Sequence, residues 1–593
     1  MEIHLPGMSK EPRPQGGALK PKFSKPKTEI PKQVRDDTRR EPNPVVMLNL
    51  FQHLTKIFSA FGRHTFHPRP QDGVFRCGLN KPRQKELFIL VLCILIGFAL
   101  RYYTFDQKSL WLDEIHTFND SRDGFREQIK FYKDNPTFLH PPLFFILTHL
   151  FYPFTKPERD LRILPLVFGT LSIPMFYILA RLFSPQIGIL CTLLLTFMTY
   201  HISLSQEGRS YSLLMFLGMA SLYFFLKHLE TTKKKPLFLV AVIFAVLFHM
   251  SYSSILFIVF SQILWFYRAG EGDKKSRLSS FMFLNGLTLL FCFPWLLFLL
   301  LNFKGQLMMP PLQAKVDISF LSLLYGICHD WTPHHPLMVA SAILLLLFPY
   351  LSEDRRNALV LLSILILPVG GLYLFCKVFD VAHFVSSRYF INFLPPLFIS
   401  LSMSLRTIEL RLKERRKPFR VALLFVVLFL ASNFLILPLY YQSEKEDFRG
   451  LVNYLKVNLR EGDKIFDMSM DYMPGILHYF GMLPDVRHYV IPFWKLSDGE
   501  IEYRRPFVYQ GKVFVIYHSR NCCAQYVADG SRLWMVAGKT AAKMIKKNSA
   551  LPLKGFFDGS FLNFSKFPED ASIYLFLWDP SSPDEKGIDM PIE

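Results

Sequence analysis

Long apolar runs separated by short charged stretches dominate the chain between residues 86 and 441. A helix needs about 20 apolar residues to cross a hydrocarbon layer of roughly 30 Å. The pattern therefore predicts a polytopic α-helical membrane protein with about eleven spans. The predicted spans are 86–104, 162–183, 186–204, 211–228, 236–253, 255–268, 281–303, 336–351, 357–378, 389–406 and 419–441.

One further apolar segment, 140–154 (HPPLFFILTHLFYPF), decides the membrane topology. If it crossed the membrane, every later loop would change sides. If it lies along the surface, the basic clusters at 233–235, 274–277, 355–356 and 411–420 all face the cytoplasm together with the basic N-terminal tail. We therefore predict a multi-pass protein of the plasma (inner) membrane in which 140–154 does not cross, the N-terminus is cytoplasmic and the C-terminal domain is external or periplasmic.

The two ends of the chain differ from the transmembrane domain at 86–441. Residues 1–85 carry 17 Lys and Arg against 7 Asp and Glu and are rich in Pro, which predicts a basic disordered cytoplasmic tail. Within it, 45–61 is interpreted either as an interfacial helix or as a weakly ordered linker. Residues 442–593 carry 19 basic against 20 acidic residues and no spanning run, and their alternating helix and strand patterns predict a soluble external α/β domain.

Composition excludes several classes of protein. A hydrophobic content of 51% and a mean hydropathy of +0.22 exclude an ordinary soluble enzyme. The net charge of +20 would suggest nucleic acid if it formed a patch on a folded domain, but the excess lies in the tail and in short loops, where it sets orientation. We therefore expect no nucleic-acid partner. Eight Cys are too few to imply a disulfide framework.

Acidic side chains recur where predicted spans meet the outer face. Asp113 and Glu114 follow the first span in the sequence WLDE, and Glu207 stands at the second external turn. A partly desolvated carboxylate can accept a proton from a hydroxyl group, although an acid pair in a loop is more often simply solvated. Because Asp113 and Glu207 share one face, they could divide acid and base roles or share a divalent metal ion.

Basic side chains stand at the same face. His140 opens the surface segment, Arg209 follows Glu207, and Arg388 lies at the outer mouth of the tenth span. Each could meet a phosphate at headgroup depth, while the alternatives are a structural His and Arg side chains that snorkel to the interface. The histidine-rich HDWTPHH at 329–335 could bind zinc, but its spacing fits no standard structural site.

Taken together, these segments resemble a known family. The sequences WLDE, HPPL, RILPLVFGTLSIPMFYILARLF, SQEGRSYSLL and RYFINFLPP occur in this order and resemble the glycosyltransferase family 39 type, which includes protein O-mannosyltransferases and aminoarabinose transferases. The resemblance covers roughly 86–460. It implies a GT-C class membrane glycosyltransferase that passes a sugar from a polyprenyl-phosphate carrier to an acceptor on the outer side, by a single displacement with inversion.

The resemblance also implies roles for individual residues. Asp113 matches the catalytic acid, with Glu114 beside it as a second catalytic candidate, and Glu207 falls where relatives carry a second acid. His140, Arg209 and Arg388 are then the donor-phosphate ligands. A divalent metal at Asp113 and Glu207 stays open, and no other cofactor is expected.

Other functional classes remain alternatives. A transporter would place ionisable residues near the middle of the membrane, often in repeated halves, and neither feature is visible here. A scaffold gives no reason for acids and cations to gather at one interface. A polymerase or ligase of lipid-linked glycans would share the pattern, so the sequence leaves the sugar and the acceptor undetermined.

Overall fold

A computed structural model describes residues 84–134, 140–267, 274–302, 319–352, 354–378, 386–414, 420–468, 472–482, 502–519, 530–549, 551–563, 566–582 and 586–592. The predicted basic tail and its interfacial helix therefore lie outside the described residues, apart from positions 84 and 85. The described chain forms a bundle of apolar helices followed by a mixed α/β domain.

The bundle contains seventeen described α-helices, and each of the eleven predicted spans coincides with one or two of them. The helices are α1 (Gln84–Tyr102), α2 (Leu112–Arg122), α3 (Phe125–Asp134), α4 (Leu143–His149), α5 (Pro157–Asp160), α6 (Ile163–Phe183), α7 (Gly188–Phe197), α8 (Thr199–Ser205), α9 (Tyr211–Thr231), α10 (Lys234–Met250), α11 (Ser254–Phe260), α12 (Lys274–Asn302), α13 (Phe320–Trp331), α14 (His335–Leu351), α15 (Arg355–Val378), α16 (Leu394–Glu414) and α17 (Val421–Gln442).

Fewer of these helices meet the length and polarity of a membrane span than the sequence predicted. In the described residues, six helices are long and apolar enough to cross, or up to eight if two bent pairs, α7 with α8 and α13 with α14, each count as one span. α12, α15 and α17 bury only 22–28% of their apolar windows within the protein. Leu300 and Leu435 are 80% and 67% exposed, as expected for side chains that face lipid.

The helix within the segment 140–154, α4, has seven residues and is too short to cross a bilayer alone. Directly after the segment, Lys156 forms an ion pair of 2.8 Å with Asp106, which follows α1. The chain thus returns to the end of α1 once the segment is complete, and the prediction that 140–154 does not cross stays a prediction.

A sharp bend of 63° separates α7 from α8 inside the predicted span 186–204. The bend frees backbone carbonyls that a continuous helix would pair. The buried guanidinium of Arg101 donates to the carbonyls of Leu195 and Thr196 at 3.0 and 3.2 Å. Across the break, the Asn433 side chain accepts a bond from the amide of Thr199 at 2.8 Å. Polar side chains from two neighbouring helices thus stabilise the interruption.

The C-terminal domain contains both helices and strands, as the sequence predicted. The elements are α18 (Phe448–Asn458), β1 (Lys464–Asp467), α19 (Met473–Tyr479), β2 (Glu502–Tyr509), β3 (Lys512–Ser519), β4 (Leu533–Gly538), α20 (Lys539–Asn548), β5 (Leu553–Phe557), β6 (Ser560–Asn563), β7 (Lys566–Asp570) and β8 (Ile573–Trp578). Six of the strands form one sheet of order β2-β3-β1-β4-β8-β5. Strands β3, β1 and β4 are parallel, and antiparallel strands complete both edges.

The loop between α1 and α2 shares its apolar core with this domain. Leu110 and Ile115 are fully buried in one cluster with Phe448 and Leu451 of α18. The loop and the start of α2 therefore lie between the helical bundle and the α/β domain. This position is where the predicted catalytic acids are found.

Candidate functional site

The two adjacent acids, Asp113 and Glu114, occupy the first turn of α2, where carboxylates favour the positive end of the helix dipole. Successive side chains on a helix point about 100° apart, so neighbours face different surroundings. The Asp113 side chain is 27% exposed, while Glu114 is completely buried. The structure thus gives the two predicted catalytic acids different environments.

Glu114 is engaged on both of its oxygens. Nε and Nη2 of Arg162 contact Oε1 and Oε2 at 2.7 and 2.6 Å, a two-point ion pair. The amide of Gly208 donates to Oε1 at 2.6 Å. Arg162 also donates to the carbonyls of Phe105 and Ser109 at 3.0 Å. Glu114 and Arg162 therefore connect the loop between α1 and α2 to the turn at 205–210.

Asp113 lies among positive charges. Its Oδ2 is 3.5 Å from Nη1 of Arg388, and Arg209 donates to the Asp113 carbonyl at 3.3 Å. Burial alone would raise the pKa of Asp113, but Arg209, Arg388 and Lys445 outweigh it and hold the pKa below its ordinary value. Asp113 is therefore a carboxylate at neutral pH, and the structure brings it together with two of the three predicted phosphate ligands.

Arg388 is held by aromatic rings. Its guanidinium carbon lies 5.3 Å from the centre of the Trp111 ring, 5.6 Å from Tyr211 and 5.8 Å from Tyr389. Such cation–π contacts orient the group without using its hydrogen-bond donors. Its buried Nε has no hydrogen-bond partner among the described residues. Arg388 therefore keeps donors for an anionic ligand.

Glu207 meets a cation that the sequence analysis did not single out. Its Oε1 is 2.9 Å from Nζ of Lys445, and this ammonium lies 3.3 Å from the centre of the Trp111 ring. The buried Oε2 of Glu207 has no partner among the described residues. Because Arg388 lies near the same indole, Glu207, Lys445, Trp111, Arg388 and Asp113 form one continuous network of charges around a single ring.

The predicted histidine His140 lies at the mouth of this site. Desolvation of its imidazole by the surrounding protein, with the nearby charge of Arg209, lowers the pKa of His140 to about 4. Desolvation also lowers the pKa of His116 on α2. Both rings are therefore neutral at neutral pH, and His140 can offer a hydrogen bond to a phosphate but no permanent charge.

The histidine-rich segment 329–335 contacts the site through Asp330. Ser387, the residue before Arg388, donates to Oδ2 of Asp330 at 2.5 Å and contacts the Tyr200 hydroxyl at 2.6 Å. His329 lies 3.9 Å from Asp330. These contacts fix the short 3₁₀ helix Ser387–Phe393 that carries Arg388.

The residues do not fit a divalent metal ion. The two predicted metal ligands, Asp113 and Glu207, each lie against a cation rather than against each other. In the described ranges, no three His, Cys, Asp or Glu side chains converge as a metal site would require. Asp113 and Glu207 are therefore engaged by cationic side chains of the protein.

Three residues of the site were missed by sequence reasoning: Arg162, Ser387 and Lys445. Arg162 opens a predicted span and reads as an interface anchor. Ser387 has no distinguishing pattern. Lys445 lies 238 residues from its partner Glu207, and its only signal was its place directly after the last span.

Comparison with known proteins bears on this geometry. Residues 139–298 match the family described as dolichyl-phosphate-mannose-protein mannosyltransferase. The match confirms the predicted resemblance over this segment, and the predicted class of membrane glycosyltransferase agrees with it. The segment contains His140, Glu207 and Arg209. No curated protein matches the chain.

Several solved structures are similar at low sequence identity. A protein O-mannosyltransferase complex from S. cerevisiae, bound to its sugar donor, matches with a TM-score of 0.30 and 16% identity over 37% of this chain and 35% of that one. The arabinofuranosyltransferase AftD from Mycobacteria matches with a TM-score of 0.39 and 14% identity over 65% and 29%. ArnT from Cupriavidus metallidurans matches with a TM-score of 0.43 and 12% identity over 83% and 97%. The chain thus spans about a third of the length of the first two proteins.

Proposed function

We propose that the protein transfers a sugar from a polyprenyl-phosphate donor to an acceptor on the outer face of the membrane, by a single displacement with inversion. The observation that carries this proposal is the ionised Asp113 between Arg388 and Arg209 at one end of the helical bundle. The family match over 139–298 supports a sugar donor linked to a lipid phosphate.

The charges of the site favour an anionic ligand. Asp113 and Glu207 supply two negative charges, and Arg209, Arg388 and Lys445 supply three positive charges. One positive charge is left, in a partly desolvated setting where it attracts an anion more strongly than in water. A phosphodiester beside Arg388 would use its unpartnered Nε and balance this charge.

Asp113 then acts on the acceptor. A hydroxyl oxygen of the acceptor forms a bond to the anomeric carbon while the bond from that carbon to the phosphate oxygen breaks. The phosphate leaves with the electron pair and is stabilised by Arg388 and Arg209, and Asp113 takes the hydroxyl proton. A single displacement of this kind inverts the anomeric carbon.

The remaining predicted residues take supporting roles in this proposal. Glu114 was predicted as catalytic, but a completely buried carboxylate with a two-point Arg partner is suited to holding the loop in place. Glu207 holds Lys445 and so acts on the site through its neighbour. His140 stands where a neutral imidazole can contact either the donor phosphate or the acceptor.

The decisive experiment compares Asp113→Asn and Arg388→Ala with Asp123→Asn, a control in the same external region. Envelope glycolipids and glycoproteins of cells that carry each variant are analysed by mass spectrometry, and binding of undecaprenyl phosphate to purified protein is measured in parallel. Asp113→Asn should lower transfer by about two to four orders of magnitude and leave binding intact. Arg388→Ala should weaken binding by roughly 2–5 kcal/mol.

Four results would count against the proposal. Near-normal transfer by Asp113→Asn would remove this residue as the base. Unchanged binding by Arg388→Ala would favour an interface anchor. A loss of solute flux with no change in any glycan would point to a transporter, while new polymeric glycans that depend on the protein would identify a polymerase or ligase.

A further inference from the structure

Residues 443–447 join the last helix of the bundle, α17, to the first helix of the α/β domain, α18. Asp447 caps α18, and three of the four residues before it are charged: Glu444, Lys445 and Glu446. A linker that only connects two domains needs no such density of charge. The contacts of these three side chains show that the segment lies against the loop that carries Asp113.

The two glutamates hold the backbone of that loop. Oε2 of Glu444 accepts the amide N–H of Ser109 at 2.8 Å, and Oε2 of Glu446 accepts the amide of Leu112 at 2.8 Å. Both bonds are made to charged acceptors and are stronger than bonds between neutral groups. They bracket Trp111 and end one residue before Asp113. The position of the catalytic turn is therefore fixed from outside the helical bundle.

Lys445 reaches the site itself. Its ammonium contacts Glu207 at 2.9 Å and lies over the indole of Trp111 at 3.3 Å from the ring centre. One side chain thus connects the junction, the first loop and the second external turn. Since Arg388 packs near the same indole, the place of Trp111 also sets the place of Arg388.

Apolar packing and a further hydrogen bond reinforce the junction. Leu110 lies in the same buried cluster as Phe448 and Leu451 of α18. The Tyr479 hydroxyl of α19 accepts the amide of Leu110 at 2.7 Å. The α/β domain therefore supplies partners to three successive parts of the loop, and the loop cannot keep this conformation if the domain is displaced.

We propose that residues 443–446 are a positioning element of the active site, in which Glu444 and Glu446 fix the loop before Asp113 and Lys445 holds Trp111 and Glu207. This inference rests on the proposed sugar transfer, and it gives the α/β domain a part in catalysis without giving it a catalytic residue. Lys445 acts by neutralising Glu207, so that Arg388 stays available to Asp113 and to the donor phosphate.

The effect of removing the Lys445 charge follows from this arrangement. Lys445→Met keeps the length of the side chain and its packing on Trp111, but leaves Glu207 without a cation. Glu207 then competes for Arg388 and draws it away from Asp113. We expect kcat to fall by about 10- to 100-fold, the range for misplacement of a reacting group by about 1 Å. Lys445→Arg should restore most of the activity.

A double-mutant cycle tests whether Lys445 and Glu207 act as a pair. If they do, Lys445→Met combined with Glu207→Gln should be less damaging than the product of the two single effects, because no unpaired carboxylate remains. Lys512→Met is the matched control, since Lys512 pairs with Glu461 at 3.9 Å on the exposed surface of the same domain. This control should retain full activity.

A second measurement follows the loop directly. Hydrogen–deuterium exchange of peptides covering 103–116 should become faster in Glu444→Gln and Glu446→Gln than in the natural protein and in Lys512→Met, because the Ser109 and Leu112 amides lose their charged acceptors. Lys445→Met should also speed exchange, because the junction loses its ion pair with Glu207. A structural role elsewhere in the domain would speed exchange in 448–482 rather than in the loop.

The outcomes separate this inference from the proposed function. Normal kcat and normal exchange in Lys445→Met, with Asp113→Asn inactive, would overturn the positioning role and leave the sugar transfer standing. Normal transfer by Asp113→Asn would overturn the proposed mechanism even if the loop exchange changed as expected. If Lys445→Met unfolds, Glu444→Gln and Glu446→Gln carry the same comparison, and unchanged loop exchange in both variants would overturn the positioning role.

Discussion

Asp113 and Glu114 are neighbours in sequence, but their carboxylates have opposite surroundings. Asp113 is partly exposed and ionised, and the neighbouring cations leave part of its carboxylate accessible. Glu114 is buried, and its carboxylate is paired with Arg162. A site that binds and releases ligands needs groups of the first kind. A loop that must keep its shape needs groups of the second kind.

Loss of the Glu114 charge should therefore damage stability more than it changes the chemistry. Glu114→Gln leaves the Arg162 guanidinium buried without its counter-charge, and breaking such a pair costs about 3–5 kcal/mol. Thermal unfolding in detergent should show this loss in Glu114→Gln and little change in Asp113→Asn. Glu86→Gln is the matched control, because its partner Arg181 is similar but Glu86 is 33% exposed. An equal loss in both variants would contradict the structural role of Glu114.

The pH dependence of transfer should report the cations around Asp113. Asp113 must be ionised to accept a proton, and its pKa lies below the ordinary value of about 3.9. Activity is then present above the lowered pKa and is lost as the pH falls through it. Arg209→Met removes one positive charge, so the acidic limb of kcat/KM should move to higher pH by roughly one unit or more.

Two further variants test whether the acidic limb belongs to Asp113. His140, with a pKa of about 4, titrates in the same range, so the profile is also recorded in His140→Gln. Arg460→Met removes a guanidinium whose side chain is 70% exposed in the α/β domain and should leave the limb in place. If the acidic limb of the pH profile disappears in His140→Gln, or does not move in Arg209→Met, the titrating group is not Asp113.

At the scale of helices and strands, the apolar pattern predicted which segments are helical, and polar contacts decided how those helices are interrupted. All eleven predicted spans fall on helical segments, although in the described residues only six to eight of the helices are long and apolar enough to cross a membrane. The bend between α7 and α8 was not predicted, since 186–204 is apolar throughout and its stabilising groups, Arg101 and Asn433, come from distant helices. In the site, Asp113, Arg209 and Arg388 were found from their places near span ends, whereas the role of Lys445 depends on its contact with Glu207, which lies 238 residues away in sequence.

Arg101 should accordingly be essential for the shape of the α7–α8 pair. Its guanidinium also contacts Nδ1 of the buried His201 at 2.8 Å. Arg101→Met therefore leaves several buried polar groups without this hydrogen-bond partner. Each unpaired buried group costs about 1–3 kcal/mol, and we expect a large loss of thermal stability. Arg101→Lys should recover only part of it, because one ammonium cannot reproduce the planar fork. Full recovery by Lys would show that charge alone matters here.

At the scale of the whole molecule, the α/β domain, the loop between α1 and α2 and the turn at 205–210 meet at one end of the bundle. Lys445 contacts Glu207 of the turn, and Arg449 donates to the carbonyl of Gln107 at 2.8 Å. Helix α9 leads from Tyr211 beside Arg388 to the basic cluster at 233–235, which stands at the start of α10, and the cluster at 355–356 stands at the start of α15. The positive-inside rule would place these clusters in the cytoplasm and the site outside.

Cysteine accessibility tests this topology with four positions. Lys234→Cys should react with a membrane-impermeant maleimide only after the membrane is opened, whereas Val457→Cys, at a side chain 84% exposed in the α/β domain, should react in intact cells. Asp123→Cys and Lys156→Cys flank 140–154 and should both behave like Val457→Cys, because the ion pair between Asp106 and Lys156 returns the chain to the same end. If Asp123 and Lys156 were labelled from opposite sides, the segment would cross and the ion pair could not form. If instead Lys234→Cys reacted in intact cells and the other three variants did not, the orientation of the whole protein would be reversed. The donor would then have to be bound from the cytoplasmic side.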